Sequence, residues 1–212
     1  MTFRDRTDAG QKLAEALAAY RDANGAIVIA LPRGGVVVGA EVARTLSLPL
    51  DIVVPRKIGA PGNEEYAIGA ITEAGEPVWD QQSVSLTDAS DEYLRATVER
   101  ERKEARRRLT TYRGDRPPRN LKGKAVILVD DGIATGLTMA AAIQTIRAEG
   151  AKRIVLAVPV AAADSTAKLR AMVDEVTCLH APQWFGAVGA FYDTFEQTSD
   201  EEVIALLRNA KA

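Results

Sequence analysis

The chemistry-bearing residues of this sequence concentrate at Asp130 and Asp131, which are followed by Gly132, Thr135, Gly136 and Thr138. The whole segment, VILVDDGIATGLT from Val126 to Thr138, puts an apolar run before the acids and a glycine- and threonine-rich stretch after them. Gly132 and Gly136 free the backbone to turn its N–H groups inward, and the threonines add hydroxyls. A helix starting near Thr138 would present its positive N-terminal end to an anion. That combination suits a phosphomonoester. The two carboxylates disfavour the phosphate itself, so their natural partners are hydroxyl groups one sugar-length away, or a magnesium ion reached through water. Ribose 5-phosphate supplies both ends. The competing reading is an ordinary glycine-rich turn with solvated acids at a strand end.

The elements that must position these residues follow from periodicity. Asp8 is the expected cap of a first helix reaching about Tyr20, with Leu13 and Leu17 on one face, and Asn24-Gly25 ends it. Ala26 to Leu31 reads as a buried strand, Gly34-Gly35 opens a second helix, and DIVVP supplies another strand. Between Arg56 and Trp79, Gly59, Pro61, Gly62, Gly69 and Gly75 punctuate short apolar pieces, which predicts a mobile loop and an antiparallel hairpin outside the main sheet. Asp88 to Arg113 is strongly charged, yet Leu94, Val98, Ala105, Leu109 and Tyr112 recur at nearly helical spacing. This predicts a long exposed helix with a narrow apolar stripe. After Gly123 come strand KAVILVDD, a helix over about Thr138 to Glu149, strand RIVLAVPV, a helix over about Asp164 to Val173, strand EVTCLHAP, and a last helix capped by Thr198 or Ser199. The fold class is therefore α/β, a doubly wound and mainly parallel sheet with flanking helices. One domain over 1–212 is expected, with hood or lid insertions at about 56–118 and 182–198.

Composition narrows the function. Lys+Arg 27 against Asp+Glu 29 gives a net charge of -2, so the whole-molecule field offers no general attraction to nucleic acid or anionic membrane. Cys178 and His180 are single residues of their kinds, which removes multi-histidine and multi-cysteine metal sites and an internal disulfide. Both read as packing residues on one strand face. The opening MTFRDRTDAGQKLAEAL has no apolar leader stretch, and the expected location is the cytoplasm.

The pattern of apolar strand, two acids, short turn, Thr-Gly, any residue, Thr closely resembles the phosphoribosyl-pyrophosphate (PRPP) motif of the type I phosphoribosyltransferases. More loosely, the likeness runs from about Ala26 to Pro182. The resemblance implies a parallel sheet core, a small hood over a base, and displacement of pyrophosphate from PRPP by a nitrogenous nucleophile. It implies that Asp130 and Asp131 hold the ribose hydroxyls, and that Ile133, Ala134, Thr135, Gly136, Leu137 and Thr138 wrap the 5-phosphate. LPRGG resembles the family's pyrophosphate loop, with backbone amides around Arg33, Gly34 and Gly35 receiving the leaving group and a non-proline cis peptide often present. Magnesium is expected through PRPP and water, with no direct protein ligand, and a homodimer is expected. Purine enzymes of the hypoxanthine-guanine kind carry an acid just before Thr-Gly, where this chain has Ala134; adenine-type enzymes resemble it there.

Charge growing on the leaving oxygens calls for cations: Arg33, with Arg56 and Lys57 as further candidates beside their reading as solvated strand-end charges. Closure of Ile58 to Ala70 would bring Glu64, Glu65 and Tyr66 toward the site and exclude water. Trp184 and Phe185 are the candidates for stacking on a base. The basic stretch around 95–113 reads as a solvated face with local ion pairs. Its alternative use is as the nucleic-acid face of a regulator that senses PRPP or a nucleotide.

Overall fold

The computed structural model describes residues 1–211. In chain order its elements are α1 (Arg6–Ala16), β1 (Ala26–Ala30), α2 (Gly34–Leu46), β2 (Leu50–Ile52), β3 (Arg56–Ala60), β4 (Asn63–Ile71), β5 (Val78–Trp79), α3 (Gln81–Leu86) and α4 (Asp91–Arg113). They continue with β6 (Ala125–Val129), α5 (Leu137–Ala148), β7 (Arg153–Val160), α6 (Ala163–Arg170), β8 (Glu175–His180) and α7 (Asp200–Asn209).

Five strands form one parallel sheet in the order β2-β1-β6-β7-β8. The near-continuous apolar runs of these strands have a geometric cause, since side chains alternate between two faces and both faces are covered. Val28, Ala30, Ile127, Val129, Val155 and Ala157 pack in the cluster that contains α1, α2 and α7. Their neighbours Ile27, Ile29, Val126, Leu128, Ile154 and Leu156 pack in the cluster that contains α5 and Leu169 of α6. Each of the larger of these side chains contributes roughly 1.5–3 kcal/mol on burial.

β3, β4 and β5 form a separate three-stranded antiparallel sheet, in which β3 and β4 are the hairpin expected from the glycine pattern. The register shifts between Ile58 and Gly59 and again before Ala60, so the hairpin bends at its tip. The apolar stripe of α4 explains how this sheet is attached. Leu94 and Val98 pack on the small core of Ile58, Ala60, Ile68 and Ile71, whereas Ala105 and Tyr112 lie in the main core with Leu109 against it. One helix thus spans two cores.

The first helix begins earlier than its expected cap. Asp5, extended and accepting from the Asp8 N–H at 2.8 Å, caps α1, and Asp8 lies buried inside the helix with Lys12 at 2.7 Å. A second acid three residues on made the two positions equivalent by type. Ser199 caps α7 through the Glu202 N–H, as one of the two expected candidates.

Candidate active site

Sheet order decides which loops meet. From β1 the chain moves outward to β2, and from β6 it moves the other way to β7 and β8, so the winding reverses between the adjacent strands β1 and β6. Ligands of open α/β sheets bind beyond the strand C-termini at such a switch point. Ala30 pairs with Val129 at the ends of these strands, which delivers Pro32 to Gly35 and Asp130-Asp131 side by side. The contact is backbone-close. A Cβ on Gly34 would lie 2.0 Å from Asp131 Oδ2, and one on Gly35 would lie 2.8 Å from Asp130 Oδ1 and 2.9 Å from its Cα. Glycine is required at both positions by the acids rather than by a turn. The Pro32–Arg33 peptide is cis, and among the described residues the N–H groups of Arg33, Gly34 and Gly35 have no protein acceptor.

The acids are not the solvated strand-end pair that their position suggested. Both are partly buried, and the Asp131 side chain retains 15% of its accessible surface. Asp131 Oδ2 accepts from Arg6 Nε at 2.7 Å; the same guanidinium donates to the Glu196 carbonyl at 2.7 Å and stacks 3.8 Å from the Phe195 ring centre. Tyr192 donates to the Asp131 carbonyl at 2.6 Å, and burial, then the Asp131 charge, push its phenol above the ordinary value. Asp130 has less. Its Oδ1 accepts the Asp131 N–H at 2.8 Å, and burial followed by the Asp131 charge drives its carboxyl well above the usual carboxylate range. Sequence reasoning missed Arg6 and Tyr192, which sit 125 and 61 positions from Asp131. No local signal marks them.

Behind the acids, the loop is built as a donor cradle with one correction. The Ile133 N–H bonds the Val160 carbonyl at 3.0 Å, its carbonyl accepts from Ala162, and its side chain is buried, so Ile133 anchors the loop to β7 and has no free amide. From Ala134 to Thr138 the N–H groups have no protein acceptor among the described residues, and the threonine hydroxyls are likewise uncommitted. Ser165 of α6 fixes the cradle from behind by donating to the Ala134 carbonyl at 2.5 Å. Gly136 has a φ of +81°, which demands glycine, and a Cβ there would face Leu169 and Ser165 of α6, at 3.3 and 3.6 Å. The residue shapes the turn of the cradle.

A cavity of about 340 Å³ joins the two loops, lined by Pro32, Pro55, Arg56, Lys57, Arg108 and Thr138 among others. Arg56 is held by Glu101 at 2.9 Å, while Lys57 is exposed and has no carboxylate partner among the described residues. Arg33 reaches Asp200 at 3.4 Å. From α4, Arg108 lines the cavity while bonded to Glu104 at 2.8 Å, whose two arginine partners hold its carboxyl down at about 2. Glu64 and Glu65 border the same cavity at the hairpin tip, with Glu64 3.3 Å from Arg100, and Tyr66 meets Ser83 at 3.0 Å.

The aromatic candidates separate. Phe185 stacks on Phe191 at 5.3 Å, beside the small core of Phe3, Ala9, Val160 and Tyr192, whereas Trp184 is 87% exposed. Cys178 donates to the His180 carbonyl and His180 sits edge-on to Phe191, so both pack as expected. No described helix is long and apolar enough to cross a membrane.

Comparison with known proteins agrees with this geometry. Residues 4–196 match the model of the phosphoribosyl transferase domain family. Two Mycobacterium tuberculosis proteins, from strains CDC 1551 and H37Rv and provisionally named phosphoribosyl transferases, are each 44% identical over 208 residues. Those residues are 98% of this chain and 47% of each relative, so the chain spans about half the length of the relatives it matches. The crystal structure of TT1426 from Thermus thermophilus is 46% identical, with full coverage of both chains and a TM-score of 0.83. A Neisseria gonorrhoeae protein crystallised with ppGpp, 17% identical with a TM-score of 0.52 over 98% of this chain and 94% of its own, shares the fold. With its acids, amide cradle and glycine contacts in these positions, the chain belongs to the phosphoribosyl transferase domain family.

Proposed function

We propose that this domain transfers the 5-phosphoribosyl group of PRPP to a nitrogenous base and releases pyrophosphate. The observation that carries this reading is a continuous loop in which two carboxylates are followed by five unpartnered amides, Ala134 to Thr138, at the start of α5. The amides and the Thr135 and Thr138 hydroxyls hold the 5-phosphate; Asp130 and Asp131 accept from the ribose hydroxyls. Arg33 and the free amides of Arg33, Gly34 and Gly35 receive the pyrophosphate, with Lys57 and Arg56 at the rim. As the bond to C1 stretches, these donors meet charge growing on the leaving oxygens, which lowers the barrier only if they are already aimed. The bent β3–β4 hairpin excludes water from the ribosyl cation. Phe185 and Trp184 are the candidates for contact with the base.

At the end of β6 the chain offers the adjacent carboxylate pair Asp130 and Asp131. That set suits magnesium carried by substrate oxygens and water, where it would supply charge neutralisation at the pyrophosphate. By family resemblance the working form is a cytoplasmic homodimer, which sedimentation and cell fractionation check.

The test is release of pyrophosphate from magnesium PRPP across a panel of purines, pyrimidines and related amines. Acceptor-dependent release is expected with at least one member. PRPP bound but never cleaved across the panel would count against catalysis. The regulator reading has the weaker support, because Arg102 and Arg106 of α4 donate to the Gly75 and Glu73 carbonyls and so are committed to the segment between β4 and β5. Salt-dependent binding of DNA or RNA would revive it.

A further inference from the structure

The C-terminal helix reaches the pyrophosphate loop through one shared oxygen. Asp200 Oδ1 accepts from Arg33 Nη1 at 3.4 Å and from the Tyr112 hydroxyl at 2.8 Å. Arg33 immediately precedes α2, Tyr112 lies in the last turn of α4 and Asp200 begins α7, and none is near another in sequence. We propose that Asp200, backed by Tyr112, is a positioning residue that aims the Arg33 guanidinium at the pyrophosphate end of the substrate; this rests on the site assignment above.

Three features support it. Arg33 is a long side chain at a loop end, about one-third exposed, and without Asp200 would lose its rotamer freedom only when ligand binds. Tyr112 is 2% exposed, its ring is locked in the main core, and burial holds its hydroxyl protonated with a pKa of about 12. It is therefore a permanent donor that orients the carboxylate. The Ser199 cap fixes the backbone on which Asp200 stands. One contact to Asp200 leaves the remaining guanidinium donors of Arg33 available.

Charge makes the proposal sharp. An acid next to a pyrophosphate site repels the ligand, so removing it should tighten binding unless its hold on Arg33 matters more. The experiment is calorimetry with magnesium pyrophosphate and, separately, ribose 5-phosphate on Asp200→Ala, Asp200→Asn, Tyr112→Phe, Arg33→Ala and the Arg33→Ala/Asp200→Ala pair. Asp200→Ala should weaken pyrophosphate binding about tenfold, as loss of one charge-assisted contact predicts. Ribose 5-phosphate affinity should hold. Asp200→Asn, which keeps an acceptor oxygen, and Tyr112→Phe, which keeps the ring, should fall between this variant and the unsubstituted protein. In the Arg33→Ala background Asp200→Ala should no longer weaken pyrophosphate binding, and loss of the repelling charge should leave it unchanged or tighter. Unchanged or tighter pyrophosphate binding in Asp200→Ala overturns the proposal, as does an equal loss for both ligands or an undiminished loss without Arg33. An unsubstituted protein that binds neither ligand overturns the site assignment itself.

Discussion

Arg119 and Arg6 each serve a buried carboxylate neighbourhood, and the two neighbourhoods differ in how completely their polar atoms are matched. Arg119 donates to Glu73 at 2.6 Å, to both oxygens of Glu149 at 2.5 and 2.8 Å, and to the Ile52 carbonyl at 2.6 Å. The second oxygen of Glu73 accepts the Val54 N–H at 3.0 Å. Burial works against the Arg119 charge, but hydrogen bonding to Glu149 and the charge of Glu73 outweigh it and raise its pKa. This cluster ties the end of β2, the segment after β4 and the end of α5 into one joint, with the Thr72–Thr145 hydroxyl contact at 2.6 Å beside it. Around Arg6 the matching stops short. Asp131 is paired, while Asp130 has its neighbour's amide and a carboxyl forced above its usual range, next to a loop of idle donors. A satisfied buried network holds structure together, whereas a deficit beside open amides marks where a ligand completes the set.

Breaking the satisfied cluster should cost the most. Arg119→Ala leaves the buried Glu73 carboxylate and the half-buried Glu149 carboxylate without their shared cation, and a loss of about 3–5 kcal/mol of stability is expected in denaturant titration. If the change costs less than about 1 kcal/mol, the joint is not structural. Asp130→Asn should do the reverse, weakening PRPP binding by about 1.5–3 kcal/mol in calorimetry with magnesium present, while the free protein folds at least as well as before. The sign follows from linkage. The folded carboxyl titrates above its unfolded value of about 3.9, so the folded state binds more protons and loses stability as pH rises through the raised pKa. The melting temperature of Asp130→Asn should therefore pull ahead of the unsubstituted protein over that window, and parallel curves would show that Asp130 carries no such burden.

Asp131→Asn sharpens the contrast within the pair. It should weaken PRPP binding and also destabilise the fold by about 1–3 kcal/mol, because Arg6, with 12% of its side chain exposed, loses its ionic partner. Equal stability effects in the two variants would erase the distinction between a held acid and a strained one. The smallest effect belongs to the cradle: Thr135→Ala should forfeit about 1 kcal/mol of phosphate affinity, since one hydroxyl bond goes while the amides stay. A larger loss would mean that side chains, not backbone, carry the phosphate.

The local parts of this molecule were legible because their causes are local. Apolar runs bounded by glycine located the parallel strands, and a strand, two acids and a Thr-Gly turn before a helix located the cradle. The stripe on α4 was legible too, but not that its two halves serve two cores. Glycine at 34 and 35 could be read as a turn or a backbone approach, and the oxygen it had to clear, on Asp131, lay almost a hundred positions away. The direction in which Gly136 faces depended on the packing of α6.

What the sequence by itself determined is the order of the elements and the chemistry available at the end of β6, since both follow from side-chain type and spacing along a single stretch of chain. Tertiary structure alone decided that β1 lies beside β6, that Arg6 takes Asp131 and leaves Asp130 in deficit, and that Asp200 meets Arg33. The reason is physical: such pairings arise from the register and winding of the sheet, and a charged residue carries no mark of the distant partner it will meet.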